Sequence, residues 1–147
     1  MPAEPARSAR ADTAVASTLA VSVMRLARRL RQERDTDLTA TQLSALGSIR
    51  RHGPLTIGAL AAHERVQPPS MTRTVSCLLE LGMVTRTPHP TDGRQVIVVL
   101  SDDGLALLET ERKRRDAWLG QRLRELDAED RDVLRRAVPL LEGLAQA

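Results

Sequence analysis

Two arginines carry the most suggestive chemistry in this chain. Arg73 closes the run Pro69-Ser70-Met71-Thr72-Arg73, and Arg94 follows Asp92-Gly93. An arginine presents a planar fork of donors that fits guanine O6 and N7, or a phosphate. At about 100° per residue, Met71, Val75, Leu78 and Leu79 fall on one side of a helix. Arg73 then points away from them, with Pro69, Ser70, Ser76 and Cys77 around it and Thr72 at the edge. That outer face is small and polar apart from one cation, so it can approach a groove closely. Ser70 and Thr72 can serve base edges or phosphates. Arg94, on a projecting loop, suits a narrow and electronegative minor groove. Arg86 and His89 lie near enough to meet phosphate. Asp92 repels phosphate, so it is expected to orient Arg94 or Arg73 by a charge-assisted hydrogen bond while Asp92-Gly93 forms a turn. The candidate DNA-binding set is therefore Pro69, Ser70, Thr72, Arg73, Ser76, Arg86, His89, Asp92 and Arg94.

Catalytic chemistry finds less support. His52, His63 and His89 are scattered along the chain, and His63-Glu64 lacks the second histidine of a metalloprotease helix. There is no glycine-rich phosphate loop and no nucleophile elbow. We expect no enzyme activity, no cofactor and no metal site. A single cysteine, Cys77, excludes an intramolecular disulfide framework and any multi-cysteine metal site.

Composition narrows the class further. The 147 residues suit one domain, and 41% hydrophobic with 28% charged is a globular balance. Trp118 is the only aromatic residue, since Phe and Tyr are absent. Stacking of unpaired bases on aromatic platforms is thus denied, which disfavours single-strand binding. The pI near 10.3 exaggerates the basicity, because all but one of the basic groups are arginines. The net charge of +3 is the useful figure. Its distribution matters more: residues 39–101 hold six basic against three acidic groups, whereas residues 102–147 hold nine against eleven. The middle segment is the most positive, as a phosphate-facing surface requires. No apolar run approaches the roughly 18 residues of a membrane span, and the N-terminus lacks a secretory pattern. A soluble cytoplasmic protein, without membrane association, is the expectation.

The elements that must position these residues are legible in order. Residues 1–12 read as a flexible tail. Val15, Leu19, Val23, Leu26 and Leu30 recur at helical spacing between about Thr13 and Arg34, and Val21, Met24 and Ala27 widen the stripe. Thr39-Ala40-Thr41-Gln42 has capping-box spacing and starts a second helix that Gly53-Pro54 ends. Leu55-Thr56 opens a third, short helix running to about His63. Pro68-Pro69 opens a fourth, which Gly82 ends. Met83 to Thr87 and Gln95 to Leu100 read as strands around the turn Pro88 to Gly93. Ser101-Asp102-Asp103 caps a long fifth helix, and Leu126-Asp127 starts a sixth that Pro139 is expected to kink or loosen. The class is mainly α with a small β-hairpin (α+β): a winged helix-turn-helix over about 39–101, with helices at about 13–35 and 102–146 flanking it. The second helix of such a pair can enter the major groove.

Leu60-Ala61, Val66, Pro69-Ser70-Met71-Thr72-Arg73, Leu81-Gly82-Met83-Val84-Thr85-Arg86, Pro90-Thr91-Asp92-Gly93-Arg94, Val99-Leu100-Ser101 and Gly104 resemble the MarR family of bacterial transcription regulators, from about Thr13 to Leu144. The resemblance implies a single domain over 13–147 and a homodimer whose first, fifth and sixth helices intertwine. It implies two winged units reading a palindromic duplex, as a repressor or activator tuned by a small aromatic or anionic ligand. The surplus apolar surface on the first and last helices independently suits a dimer. Any ligand pocket must be mostly aliphatic, with Trp118 the one available aromatic wall. Arg65 departs from the family, which commonly has glycine there, and argues against a left-handed bend. Two other functions compete: a winged-helix dimer used only as a protein–protein interaction module, and a thiol-based redox regulator acting through Cys77.

Overall fold

A computed structural model of the chain describes residues 4–147. Its elements run α1 (Glu4–Gln32), α2 (Ala40–His52), β1 (Leu55–Thr56), α3 (Ile57–Glu64), α4 (Pro68–Glu80), β2 (Val84–Pro88), β3 (Val96–Leu100), α5 (Asp102–Arg124) and α6 (Ala128–Gln146). They divide into two compact units. One spans Asp35–Lys113, and the other combines α1 with residues 114–147.

In the Asp35–Lys113 unit the local signals act as their chemistry dictates. Thr39 accepts from the Gln42 N–H and the Gln42 side chain accepts from the Thr39 N–H, closing the capping box. Gly53 ends α2 with φ 82°, a conformation that glycine takes freely. Leu55-Thr56 does two jobs: it pairs with β3 as a short strand, and Thr56 caps α3 by accepting from the Ala59 N–H at 3.1 Å. The expected hairpin is therefore part of a three-stranded antiparallel sheet, in the order β1-β3-β2. β2 is an edge strand, which is where a strand tolerates Pro88. Leu46 and Ile49 of α2, Leu60 of α3, Met71, Val75 and Leu78 of α4, and Val84 and Val98 of the sheet form one buried core.

Arg65 corrects the expectation drawn from its side chain. It adopts φ 53°, ψ 42°, a left-handed bend, and closes α3 with a Schellman motif. Its N–H donates to the Ala62 carbonyl at 3.2 Å, and the Val66 N–H donates to the Ala61 carbonyl at 3.0 Å. The motif satisfies α3's last carbonyls and turns Val66 onto the core. These gains outweigh the roughly 1–2 kcal/mol that a Cβ costs in this region. Gly82 closes α4 with the same pair of bonds at φ 72°.

The unit also extends past residue 101, the expected edge of the winged segment. Leu107 and Leu108 of α5 pack on its core, and Arg50 of α2 pairs with Glu109. The first half of α5 thus belongs with the winged helix-turn-helix.

In the other unit, α1 begins at Glu4, so residues 4–12 are helical where a flexible tail was expected; the rest of that tail lies outside the described residues. Glu4 to Asp12 is rich in alanine and arginine, both strong helix formers, and Pro5 falls in the first turn where a proline is tolerated. The Trp118 ring on α5 lies beside Arg29 of α1, 4.5 Å from guanidinium to centroid, and Arg122 lies 5.7 Å away. Asp127 caps α6 by accepting from the Asp130 N–H at 2.8 Å. α6 runs through Pro139 as one helix, although the missing proline N–H leaves the Arg135 carbonyl without its usual donor. Val15, Met24, Leu134, Val138, Leu140 and Leu144 are exposed on α1 and α6. Among the described residues no helix is long and apolar enough to cross a membrane.

Candidate nucleic-acid interface

α4 buries Met71, Val75 and Leu78 and leaves Pro69, Ser70, Thr72, Arg73 and Cys77 exposed, with Ser76 half-buried. The apolar side expected from the spacing is the buried side. Thr72 Oγ1 donates to the Pro68 carbonyl at 3.0 Å and Ser76 Oγ to the Thr72 carbonyl at 2.9 Å. Their protons are engaged in the free chain, so each hydroxyl offers a partner its lone pairs. Ser70 and Arg73 stay open to solvent on the same outer surface.

The wing is tied at its tip. His89 N–H donates to the Gln95 carbonyl at 3.2 Å, and Gln95 N–H donates to the Asp92 carbonyl at 3.1 Å. His89 Nδ1 accepts from the N–H groups of Thr91 and Asp92, at 3.2 and 3.1 Å. The proton of the neutral ring therefore sits on Nε2, which remains a donor. Asp92 holds neither arginine. Its Oδ1 accepts from the Arg94 backbone N–H at 3.1 Å, and its Oδ2 from Gln95 Nε2 at 3.2 Å. The correction has a simple cause, because an aspartate two residues before an N–H closes an Asx turn with less loss of side-chain freedom than a long ion pair requires. Asp92 thus shapes the loop that carries Arg94. Arg86, midway along β2 opposite Val98, and Arg94 are exposed. Among the described residues no ion pair involves Arg65, Arg73, Arg86 or Arg94. All four lie in the helix-turn-helix and the wing and are exposed.

Sequence reasoning missed three contacts. His52 and His63 are not scattered: their rings stack at 3.9 Å with 12° between planes, joining the ends of α2 and α3. Ser44 and Ser48 both donate to the Glu64 carboxylate, Ser44 at 2.7 Å, fixing α3 against α2. The four-residue spacing of the two serines was the available signal. Gln95 closes the wing, and nothing in its type announced that.

A cleft of about 260 Å³ lies beside the sheet, bounded by Ile49, Arg50, Pro54, Val99, Leu100 and Leu105. Its walls are aliphatic, and Arg50 is its cation.

Comparison with known proteins agrees with this geometry. The MarR family model matches residues 38–96. An uncharacterised HTH-type transcriptional regulator of Mycobacterium bovis is 46% identical over 134 residues, covering 90% of this chain and 94% of its own length. The crystal structure of a transcriptional regulator protein from Pseudomonas aeruginosa superposes with a TM-score of 0.83 at 34% identity, covering 92% of this chain and 96% of that one. A mutant MarR from E. coli in complex with operator DNA superposes with a TM-score of 0.64 at 26% identity, covering 86% and 92%.

Proposed function

Because the chain belongs to the MarR family of transcriptional regulators, we propose that it binds a palindromic DNA operator as a homodimer, represses transcription there, and is released by a small ligand. The observation that carries the reading is the pairing of Arg73, on the open face of α4, with Arg94, on a wing that Asp92 and His89 hold in shape. α4 enters the major groove, where Arg73 reads a base edge or a phosphate and Ser70, Thr72 and Ser76 line the approach. Pro69 keeps the leading turn narrow. Arg94 enters the adjacent minor groove, while Arg86 and the Nε2–H of His89 meet phosphates. A homodimer sets two such units about one DNA turn apart, roughly 34 Å. The ligand is a small aromatic or anionic molecule held by mostly aliphatic walls. As a soluble regulator of the chromosome the chain works in the cytoplasm.

The direct test is selection of duplexes from a random pool by the purified chain, repeated with candidate anions. The expected result is a palindromic consensus whose binding falls steeply with salt, as released counterions require. Recovery without a consensus and with a flat salt dependence would return the chain to the interaction-module reading.

A further inference from the structure

We propose that His89 is a proton-controlled fastener of the wing, holding the tip in shape only while its ring is neutral. What this does to a bound duplex rests on the duplex-binding reading above. The ring is half-buried, and one of its nitrogens gathers the tip. Nδ1 accepts from the backbone N–H groups of Thr91 at 3.2 Å and Asp92 at 3.1 Å, and the Thr91 hydroxyl lies 3.3 Å away. An imidazolium carries a proton on both nitrogens and has no acceptor left. A second proton, on Nδ1, therefore points at two N–H donors. The Thr91 hydroxyl can turn and accept, but the backbone donors are fixed by the loop they close.

The rest of the tip offers a protonated ring no place to settle. Asp92 is the only carboxylate in residues 89–95, and its Oδ1 and Oδ2 already accept from the Arg94 N–H and from Gln95 Nε2. Pairing with an imidazolium would withdraw Asp92 from the turn that carries Arg94, so that route loosens the tip as well. Arg94 in the loop and Arg86 on β2 are cations, and β1 and β3 carry no charge. α4, packed against β2, adds Arg73 and Glu80. The bond from the His89 N–H to the Gln95 carbonyl needs only the backbone, so the strands stay paired while the tip opens. Histidine is the side chain that gains its charge between about pH 5 and 8. The closed tip is therefore present at the upper end of that interval and lost as pH falls.

The test follows the amide NMR signals of Thr91, Asp92 and Arg94 in the free chain from about pH 7.5 to about pH 5.5, in wild type, His89→Asn and His89→Ala. Asparagine sets an amide oxygen near the place of Nδ1 and takes no proton. Wild-type signals are expected to move together towards their positions in His89→Ala as pH falls, while those of His89→Asn stay put. Affinity for the duplex that the wild-type chain recovers from a random pool is measured over the same range at fixed salt. The wild-type value is expected to drop about tenfold relative to His89→Asn; His52 and His63 are common to both proteins and cancel from the ratio. Signals that hold still, that move equally in His89→Asn, or that match His89→Ala already at the upper pH overturn the fastener. Moving signals with an affinity ratio that does not fall overturn its effect on the duplex. A wild-type chain that recovers no duplex overturns the duplex reading, and the signals of the free chain still decide the fastener.

Discussion

Gly104 of α5 faces the residue that leads into β2 so closely that a Cβ on it would stand 2.1 Å from the Met83 carbonyl oxygen. Neither backbone can retreat. The Ser101 N–H donates to that same carbonyl at 3.1 Å, Ser101 Oγ donates to the Gly82 carbonyl, and the Gly104 N–H donates to Ser101 Oγ at 3.0 Å. Gly104→Ala must tear this junction between α4, β2 and α5. We expect a loss of about 2–3 kcal/mol, at the upper end of overpacking costs, read as a lower urea midpoint with an unchanged slope. Wild-type stability would mean that the junction yields easily and that the glycine is there for another reason.

Asp92 gives a sharper distinction, because the sequence alone suggested a guanidinium as its partner. Its oxygens accept from the Arg94 N–H and from Gln95 Nε2 instead. Asp92→Asn keeps an acceptor for the N–H and is expected to bind duplex nearly as wild type does. Asp92→Ala removes both bonds, frees the tip and costs about 1 kcal/mol in binding. Equal losses in the two variants, measured at one salt concentration, would show that the charge and not the turn is what matters.

Arg73 and Arg94 are exposed and carry no ion pair among the described residues, so truncating either leaves no buried group unsatisfied. Arg73→Ala and Arg94→Ala are each expected to weaken specific binding by about 1–3 kcal/mol while the thermal midpoint stays put. A base contact relaxes the preference at one position of the site; a phosphate contact weakens all sequences alike and flattens the salt slope. Comparing each variant's selected consensus with that of wild type separates these roles.

What was legible in the sequence was local. The Thr39–Gln42 capping box, the stop at Gly53, the start at Pro68-Pro69, the buried side of α4 and the cap at Asp127 each depend on residues within a turn of one another, so spacing alone identified them. The rest depended on contacts across elements. Arg65 takes a left-handed bend because Val66 is drawn to a core formed by α2, α4 and the sheet. His52 meets His63 because Ser44 and Ser48 fix α3 on α2 through Glu64. Asp92 passed over both arginines because a backbone N–H two residues away was the closer partner. In the winged unit the exposed polar side of α4 was therefore found from sequence, while the groups that hold the wing and α3 in place were not.

The same distinction applies to α1 and α6, whose apolar stripes were visible in the sequence and remain exposed among the described residues. Met24 is 61% exposed, Leu140 70% and Leu144 65%. An exposed apolar stripe of that kind is suited to being covered by another molecule. If a second copy covers it, a carboxylate placed there must be desolvated on association, at a cost of several kcal/mol. Leu144→Glu is therefore expected to shift the sedimenting mass from two chains to one. Because Leu144 is exposed in the single chain, the unfolding of the Asp35–Lys113 unit is expected to be unchanged. Duplex affinity must then fall far more than one lost side chain explains, since two linked recognition helices bind at high effective concentration and separate ones do not. A two-chain mass with wild-type affinity would remove this face of α6 from the interface.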